Sequence, residues 1–241
     1  MLKDKNILIF GGDEFLLDAM FPLLKASGAA LTWINSSDII RKSNYDGKSL
    51  IFEEIKNVDS YESILLNHVD STEPFDGVIF CLSEGSLRPL SMTKHVVSSN
   101  LFEVNCGSFI ELIRILQKRK KLNDGASIVA YSSISSLLGL KTKLAYAVSK
   151  TALNAAIINL AVELSPKKIR VNGILKGALT TDINYEHVKN MFSVGNDESG
   201  NSELGMSTPE ELANLSIFLL SDLVKTMTGS LIKLDGGYSL N

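Results

Sequence analysis

The sequence predicts an α/β protein: one open, doubly wound parallel sheet of about seven strands flanked by helices. Three observations predict it. Short apolar runs alternate along the chain with longer helical runs. The first apolar run, Asn6–Phe10, leads through Gly11-Gly12 into a helical stretch from about Phe15 to Ala26, the strand, turn and helix that open a βαβ unit. No linker-like stretch divides the 241 residues, so a single domain over 1–241 is expected, with 45% hydrophobic residues to fill its core.

The remaining strands fall at Ala29–Ile34, Ser49–Phe52, Phe75–Ser83, Ser127–Ser133, Ile169–Leu175 and Ser230–Leu234. Between them, a helix capped by Asp59 or Ser60 runs to about Asn67, and others run from about Leu101 to Arg119 and from Ala145 to Leu164. A further helix starts at Thr208-Pro209, with proline at its first position, and reaches about Leu220. Lys118-Arg119-Lys120-Lys121 suits the negative pole of a helix C-terminus. Residues 183–207 include the polar, glycine-rich Gly195–Ser202 and no hydrophobic period, which predicts a mobile loop.

A net charge of −3, from 24 basic and 27 acidic residues, argues against a surface built for nucleic acid or anionic membrane and for a small-molecule ligand. The chain shows no charged-then-apolar leader and no uninterrupted apolar run long enough for a bilayer, so a soluble, cytoplasmic protein is expected. Cys81 and Cys106 have no metal-ligand spacing and make no disulfide framework; they read as small core residues. His68, His95 and His187 are scattered as surface or capping residues, and no metal site is expected.

The chemistry concentrates around Tyr146 and Lys150, which share one face of the alanine-rich helix. A free phenol has a pKa of ~10; a lysine cation nearby favours the phenolate and brings the hydroxyl towards acid/base work near neutrality. Ser133 ends an apolar strand, where an open α/β sheet has its ligand crevice. Asn105, inside a helical run, either caps a bend or binds something.

In order and spacing, Asn105, Ser133, Tyr146 and Lys150 resemble the catalytic tetrad of the short-chain dehydrogenase/reductase family, and the chain is similar to its 3-oxoacyl-acyl-carrier-protein reductases. Ile169-Arg170-Val171-Asn172-Gly173-Ile174 and the tail Met227–Gly237 match further family blocks, so the resemblance spans nearly the whole chain. It implies a Rossmann-type fold, NADP or NAD as cofactor, a small carbonyl or alcohol substrate, and a tetramer or dimer built on the Tyr146 helix and the last strand. It also implies roles: Tyr146 protonates the carbonyl oxygen, Ser133 holds it, Lys150 bonds the nicotinamide ribose, and Asn105 anchors a water. Gly11, Asn35, Ser36, Gly177 and Thr181 join Tyr146 and Lys150 as the implied cofactor contacts.

The chain departs from the family pattern on the cofactor side. Of the fingerprint Thr-Gly-x3-Gly-x-Gly, Gly11 keeps the first glycine; Phe10 takes the threonine position, and Phe15 and Leu17 the other glycines. Asp13 and Glu14 put carboxylates where a pyrophosphate would lie; alternatively they cap the following helix. Asn35 and Ser36 stand where an acid or base would select NAD or NADP. Phe80-Cys81-Leu82-Ser83 replaces Asn-Asn-Ala-Gly, and Lys176-Gly177 replaces Pro-Gly, with Asp182 behind Thr181. Lys176 reads as a solvent-facing lysine, a partial counter-charge to Asp13 and Glu14, or a contact for an acidic substrate group. Two other functions stay open beside the reductase: a scaffold of the same fold that has lost dinucleotide binding, and a cofactor-free acid/base enzyme.

Overall fold

The computed structural model describes residues 1–36, 48–51, 56–62, 72–180 and 204–240. Its strands are β1 (Asn6–Phe10), β2 (Ala30–Asn35), β3 (Lys48–Ile51), β4 (Phe75–Phe80), β5 (Leu122–Ser133), β6 (Arg170–Lys176) and β7 (Leu231–Leu234). They form one seven-stranded sheet in the order β3-β2-β1-β4-β5-β6-β7, and every pairing is parallel. A parallel sheet is covered on both faces, so its central strands are apolar on both sides. Leu8, Phe10, Val78, Phe80, Ile128 and Ala130 enter one core, and Ile7, Ile9, Ile79, Val129 and Tyr131 the other.

The helices relevant to the site are α1 (Glu14–Ala26), α2 (His95–Phe102), α3 (Ser108–Lys118), α4 (Leu144–Glu163) and α5 (Pro209–Leu220). Residues of α3 and α4 close the first core, and those of α1 and α5 the second. The start of α5 is fixed by a capping box in which the Glu211 amide donates to Thr208 Oγ1 at 3.2 Å and the Thr208 amide to Glu211 Oε2 at 2.8 Å. Strand order reverses at β1, which places a crevice outside the carboxyl ends of β1 and β4.

Three element boundaries differ from expectation in ways that bear on the site. The run expected as one helix from Leu101 to Arg119 begins earlier, at His95, and is interrupted by a π turn over Glu103–Gly107. There the Ser108 amide reaches back to the Glu103 carbonyl, and Ser108 Oγ donates to the Val104 carbonyl at 2.6 Å. Strand β4 stops at Phe80, not Ser83: the Cys81 amide makes a last bond to the Phe10 carbonyl at 2.8 Å before the chain turns away. Lys176, expected in a turn, is the final residue of β6.

Over its 20 residues helix α4 is long and apolar enough to cross a membrane by length and composition, with an 18-residue window of mean hydropathy 1.2, but Lys150 and Asn154 interrupt the apolar run. Its buried face carries Ser149, Lys150 and Asn154, whose polar atoms bond to other elements of this fold, so α4 is a wall of the protein. The block Ile169–Ile174 also has a structural reason. Buried Arg170 donates to the Ser221 carbonyl at 2.9 Å, and Asn172 clamps the Met227 carbonyl and the Ser230 amide, fastening the C-terminal segment that becomes β7. Thr181, Asp182, His68, His187, Phe52, the helix beyond Glu62 and most of the 183–207 loop lie outside the described residues.

Candidate active site

Ser133 ends β5 and Lys176 ends β6, as register partners. Ser133 is buried, and its Oγ accepts from the Ser135 amide at 3.1 Å, which caps the turn after the strand and leaves the hydroxyl hydrogen free to donate. Beside it Ser132 Oγ donates to Asn154 Oδ1 at 2.6 Å, and Asn154 Nδ2 donates to Ser136 Oγ at 2.8 Å. These bonds tie the β5 end to α4, the helix that carries Tyr146 and Lys150.

Lys150 is 1% exposed. Its Nζ donates to the Tyr131 carbonyl at 3.1 Å and lies 5.9 Å from the centre of the Tyr146 ring. No carboxylate among the described residues pairs with it. Burial, helped by the Lys176 cation, lowers its pKa from 10.5 to about 7. Tyr146 is partly exposed, and its hydroxyl has no hydrogen-bond partner among the described residues. A phenol open to the crevice beside a buried, electrically unpaired amine is an arrangement for moving a proton to or from a bound oxygen.

The side chain of Asn105 has a structural task of its own. Its amide is buried in the π turn, where Oδ1 accepts from the Glu84 amide at 2.7 Å and Nδ2 donates to the Glu84 carbonyl at 2.8 Å and to Ser149 Oγ at 3.0 Å. With three bonds inside the protein, the side chain works as a brace. It holds the loop after β4 against α4, one residue before Lys150.

The cofactor side is more altered. Asp13 is the N-cap of α1, its carboxylate accepting from the Leu16 amide at 2.9 Å, with Glu14 in the first turn. The capping reading of these acids is the one the geometry supports, and it places a negative charge on the helix terminus a phosphate would use. Leu17, at a fingerprint glycine, is buried and packs on Gly12, while Phe15 is 50% exposed. Asn35 is buried; its Nδ2 donates to the Gly12 carbonyl at 2.8 Å and its Oδ1 accepts from the Ser36 amide at 2.8 Å. Its amide thus braces the β1 turn, and Ser36 is the partly exposed member of the pair. Gly11 and Gly177 have internal reasons to be glycine. A Cβ on Gly11, where φ is +81°, would meet the Leu82 backbone at 2.7 Å, and one on Gly177 would meet Asp235 Cα at 2.9 Å.

A cavity of about 680 Å³ lies at the opposite, amino edge of the sheet, lined by Lys5, Asp76, Arg170, Asp222 and Lys225 among others. Its charges are largely internal. Lys5 pairs with Asp222 at 2.7 Å, and Asp76 accepts from the Asn6 amide and Asn123.

An open parallel sheet with a Tyr-Lys pair at its carboxyl edge defines a ligand-binding α/β protein equipped for proton transfer at an oxygen. A family model described as Enoyl-(Acyl carrier protein) reductase matches residues 40–239. The chain belongs to the short-chain dehydrogenase/reductase family. It is 30% identical to a cyclopentanol dehydrogenase of Comamonas over 249 aligned residues, 100% of this chain and 99% of that protein. An L-rhamnose 1-dehydrogenase of Azotobacter vinelandii matches at 30% identity over 56% of this chain, and the match spans only 53% of that protein's length. Among solved structures, a short-chain dehydrogenase family protein of Francisella tularensis superposes with a TM-score of 0.82 at 26% identity, covering 98% of this chain and 99% of that one.

The residues fit a nicotinamide cofactor at one end only. Lys150, Tyr146 and Ser133 line the carboxyl edge with a buried amine that has no counter-charge among the described residues, which suits the nicotinamide ribose. The α1 terminus, carrying its own carboxylate, does not fit a pyrophosphate.

Proposed function

We propose that this protein is an oxidoreductase that transfers a hydride between a nicotinamide cofactor and a carbonyl or alcohol. Membership of the family supports it, as do the names of its relatives: an L-rhamnose 1-dehydrogenase using NAD(P), a cyclopentanol dehydrogenase and an NADH-dependent enoyl-acyl-carrier-protein reductase. The observation that carries the reading is Lys150, a buried amine with no carboxylate partner among the described residues, held beside an open tyrosine. A fold kept only as a scaffold has no need to bury such a group at a cost in desolvation.

The hydride is what the nicotinamide supplies when bound. The chain's own residues handle the oxygen and its proton. Ser133 donates to the oxygen, Tyr146 gives or takes the proton, and a charged Lys150 stabilises the phenolate left behind. Asn105 is a positioning residue that fixes the loop after β4 against α4. We assign the protein to the cytoplasm, whose reducing conditions suit the two free thiols of Cys81 and Cys106. We also assign it to a homotetramer or dimer packed through α3 and α4, on whose surface Ile110, Val148, Ile158 and Val162 are exposed.

The test is titration of the purified protein with NADPH and NADH, read by calorimetry and nucleotide fluorescence, followed by turnover with a panel of ketones. Binding at micromolar concentration with ketone-dependent oxidation of either nucleotide is expected. No binding of either at millimolar concentration would overturn the reading and leave the scaffold.

A further inference from the structure

We propose that Lys176 makes the substrate side of this crevice an anion site, so that the protein selects a carbonyl or alcohol bearing a carboxylate or phosphate. The proposal rests on the oxidoreductase reading and names its substrate class. Lys176 stands where the family has proline, and its position follows from the sheet. It pairs in register with Ser133 across neighbouring parallel strands, about 4.8 Å apart. Register partners in a parallel pair project to the same face, so the Lys176 side chain leaves the sheet on the same side as the Ser133 hydroxyl.

A lysine at a strand end is commonly a solvated charge. This one is not fully exposed, and no carboxylate among the described residues pairs with it. Asp235, which approaches Gly177, uses its carboxylate on the Gly237 amide at 3.1 Å and the Ser239 amide at 2.9 Å. The other cation of the site, Lys150, is buried and likewise unpaired. Cys81 and Cys106, the other titratable groups that act on Lys150, are thiols that burial keeps neutral. Lys176 lies close enough to Lys150 to help lower its pKa. Two ammonium groups with no counter-charge among the described residues, one of them buried, repel each other, and a bound anion relieves that repulsion.

The protein as a whole carries −3, so the positive field is local. The opposite end of the crevice has the reverse sign. Asp13 and Glu14 sit at the α1 terminus. An anionic ligand group is therefore drawn to the β5–β6 end.

A matched pair of probes tests this: acetoacetate, and its neutral methyl ester, titrated by calorimetry into the wild-type protein and into Lys176→Met, Lys176→Gln and Lys176→Arg. The wild type should bind acetoacetate at least about tenfold more tightly than the ester, the scale of one charge-assisted hydrogen bond in a partly shielded site. Lys176→Met and Lys176→Gln should close that gap, and Lys176→Arg should keep most of it. Equal binding of the two probes by the wild type, no detectable binding of acetoacetate, or a gap that survives in both neutral variants would overturn the proposal. Parallel titration with NADPH and NADH separates the sources of the anion. If Lys176→Met weakens only the dinucleotides, the lysine serves a cofactor phosphate and the substrate assignment fails. Binding is read without turnover, so a chain that discriminates the probes through Lys176 yet reduces no ketone overturns the oxidoreductase reading and leaves the anion site in place.

Discussion

Phe10 on β1 and Phe80 on β4 are register partners, and their rings stack with centroids 5.9 Å apart and planes 10° from parallel. They occupy two positions at which the chain leaves the family pattern, the fingerprint threonine and the first asparagine of the Asn-Asn-Ala-Gly block. Along the sequence these are two losses; in the sheet they are one exchange, a polar pair replaced by an aromatic pair. Tyr61 and Phe109 extend the stack, at 5.4 Å from Phe10 and 5.1 Å from Phe80. The change is therefore accounted for by packing under the crevice, and it counts less against cofactor binding than two separate losses would.

That exchange can be tested by a double-mutant cycle. Phe10→Thr and Phe80→Asn should each destabilise the protein by about 3 kcal/mol or more, since each opens a cavity against the remaining ring. The pair should cost less than the sum by about 1 kcal/mol, from the shared stacking term. Urea unfolding measures both, and strict additivity would show that the rings do not act as a unit.

Tyr146→Phe should lower kcat by at least about 100-fold on any substrate the wild type reduces, with dinucleotide affinity little changed. Steady-state kinetics with a calorimetric control decides it. An unaltered rate would remove Tyr146 from the chemistry.

Asp13→Ser keeps an N-cap on α1 and removes its charge, because serine also caps well. Dinucleotide affinity should rise by about tenfold from the relief of repulsion with the pyrophosphate, and the gain should shrink in high salt. Unchanged affinity at low salt would mean that bound phosphates keep away from this terminus. Leu17 is a poorer site for such a test, since its buried side chain fills space against Gly12.

Lys150 gives a pH dependence with a definite sign. Its pKa falls from 10.5 to about 7 on folding, so between those values the unfolded chain binds more protons than the folded one. Its contribution to stability therefore rises with pH from about 7 to about 10.5, and below pH 7 its cost is fully present. Lys150→Met should flatten that part of the profile and make the protein relatively more stable at pH 6 than at pH 9. Urea unfolding at pH 6, 7, 8 and 9 measures it, and an identical profile in both proteins would contradict the burial account.

Val162→Asp tests the α4 surface. Val162 is 72% exposed, so a charge there should leave the fold intact. In a packed homo-oligomer the same charge would be buried, and sedimentation should show a smaller species than the wild type. Identical sedimentation would move the contact elsewhere.

The sequence by itself determined the elements and their order, because hydrophobic period, caps and turn residues act over a few neighbours. Strand β1 and helix α5 begin and end at the expected residues, and spacing put Tyr146 and Lys150 on one helix face, while their candidate roles and that of Ser133 came from the family resemblance. Only the tertiary structure decided what the polar groups do, because their partners are distant in the chain. The Asn105 side chain bonds Glu84, 21 residues away, and Ser149, 44 residues away, a bracing task that no local pattern encodes. Asn35 reaches back 23 residues to Gly12, so a candidate ribose contact became a support for the β1 turn. The two acids of that turn could be read from sequence as caps or as obstacles to a phosphate, and the bond from the Leu16 amide to Asp13 selects the cap. Lys176 gained its meaning in the same way: the register of β5 and β6, which no local pattern encodes, sets it beside Ser133.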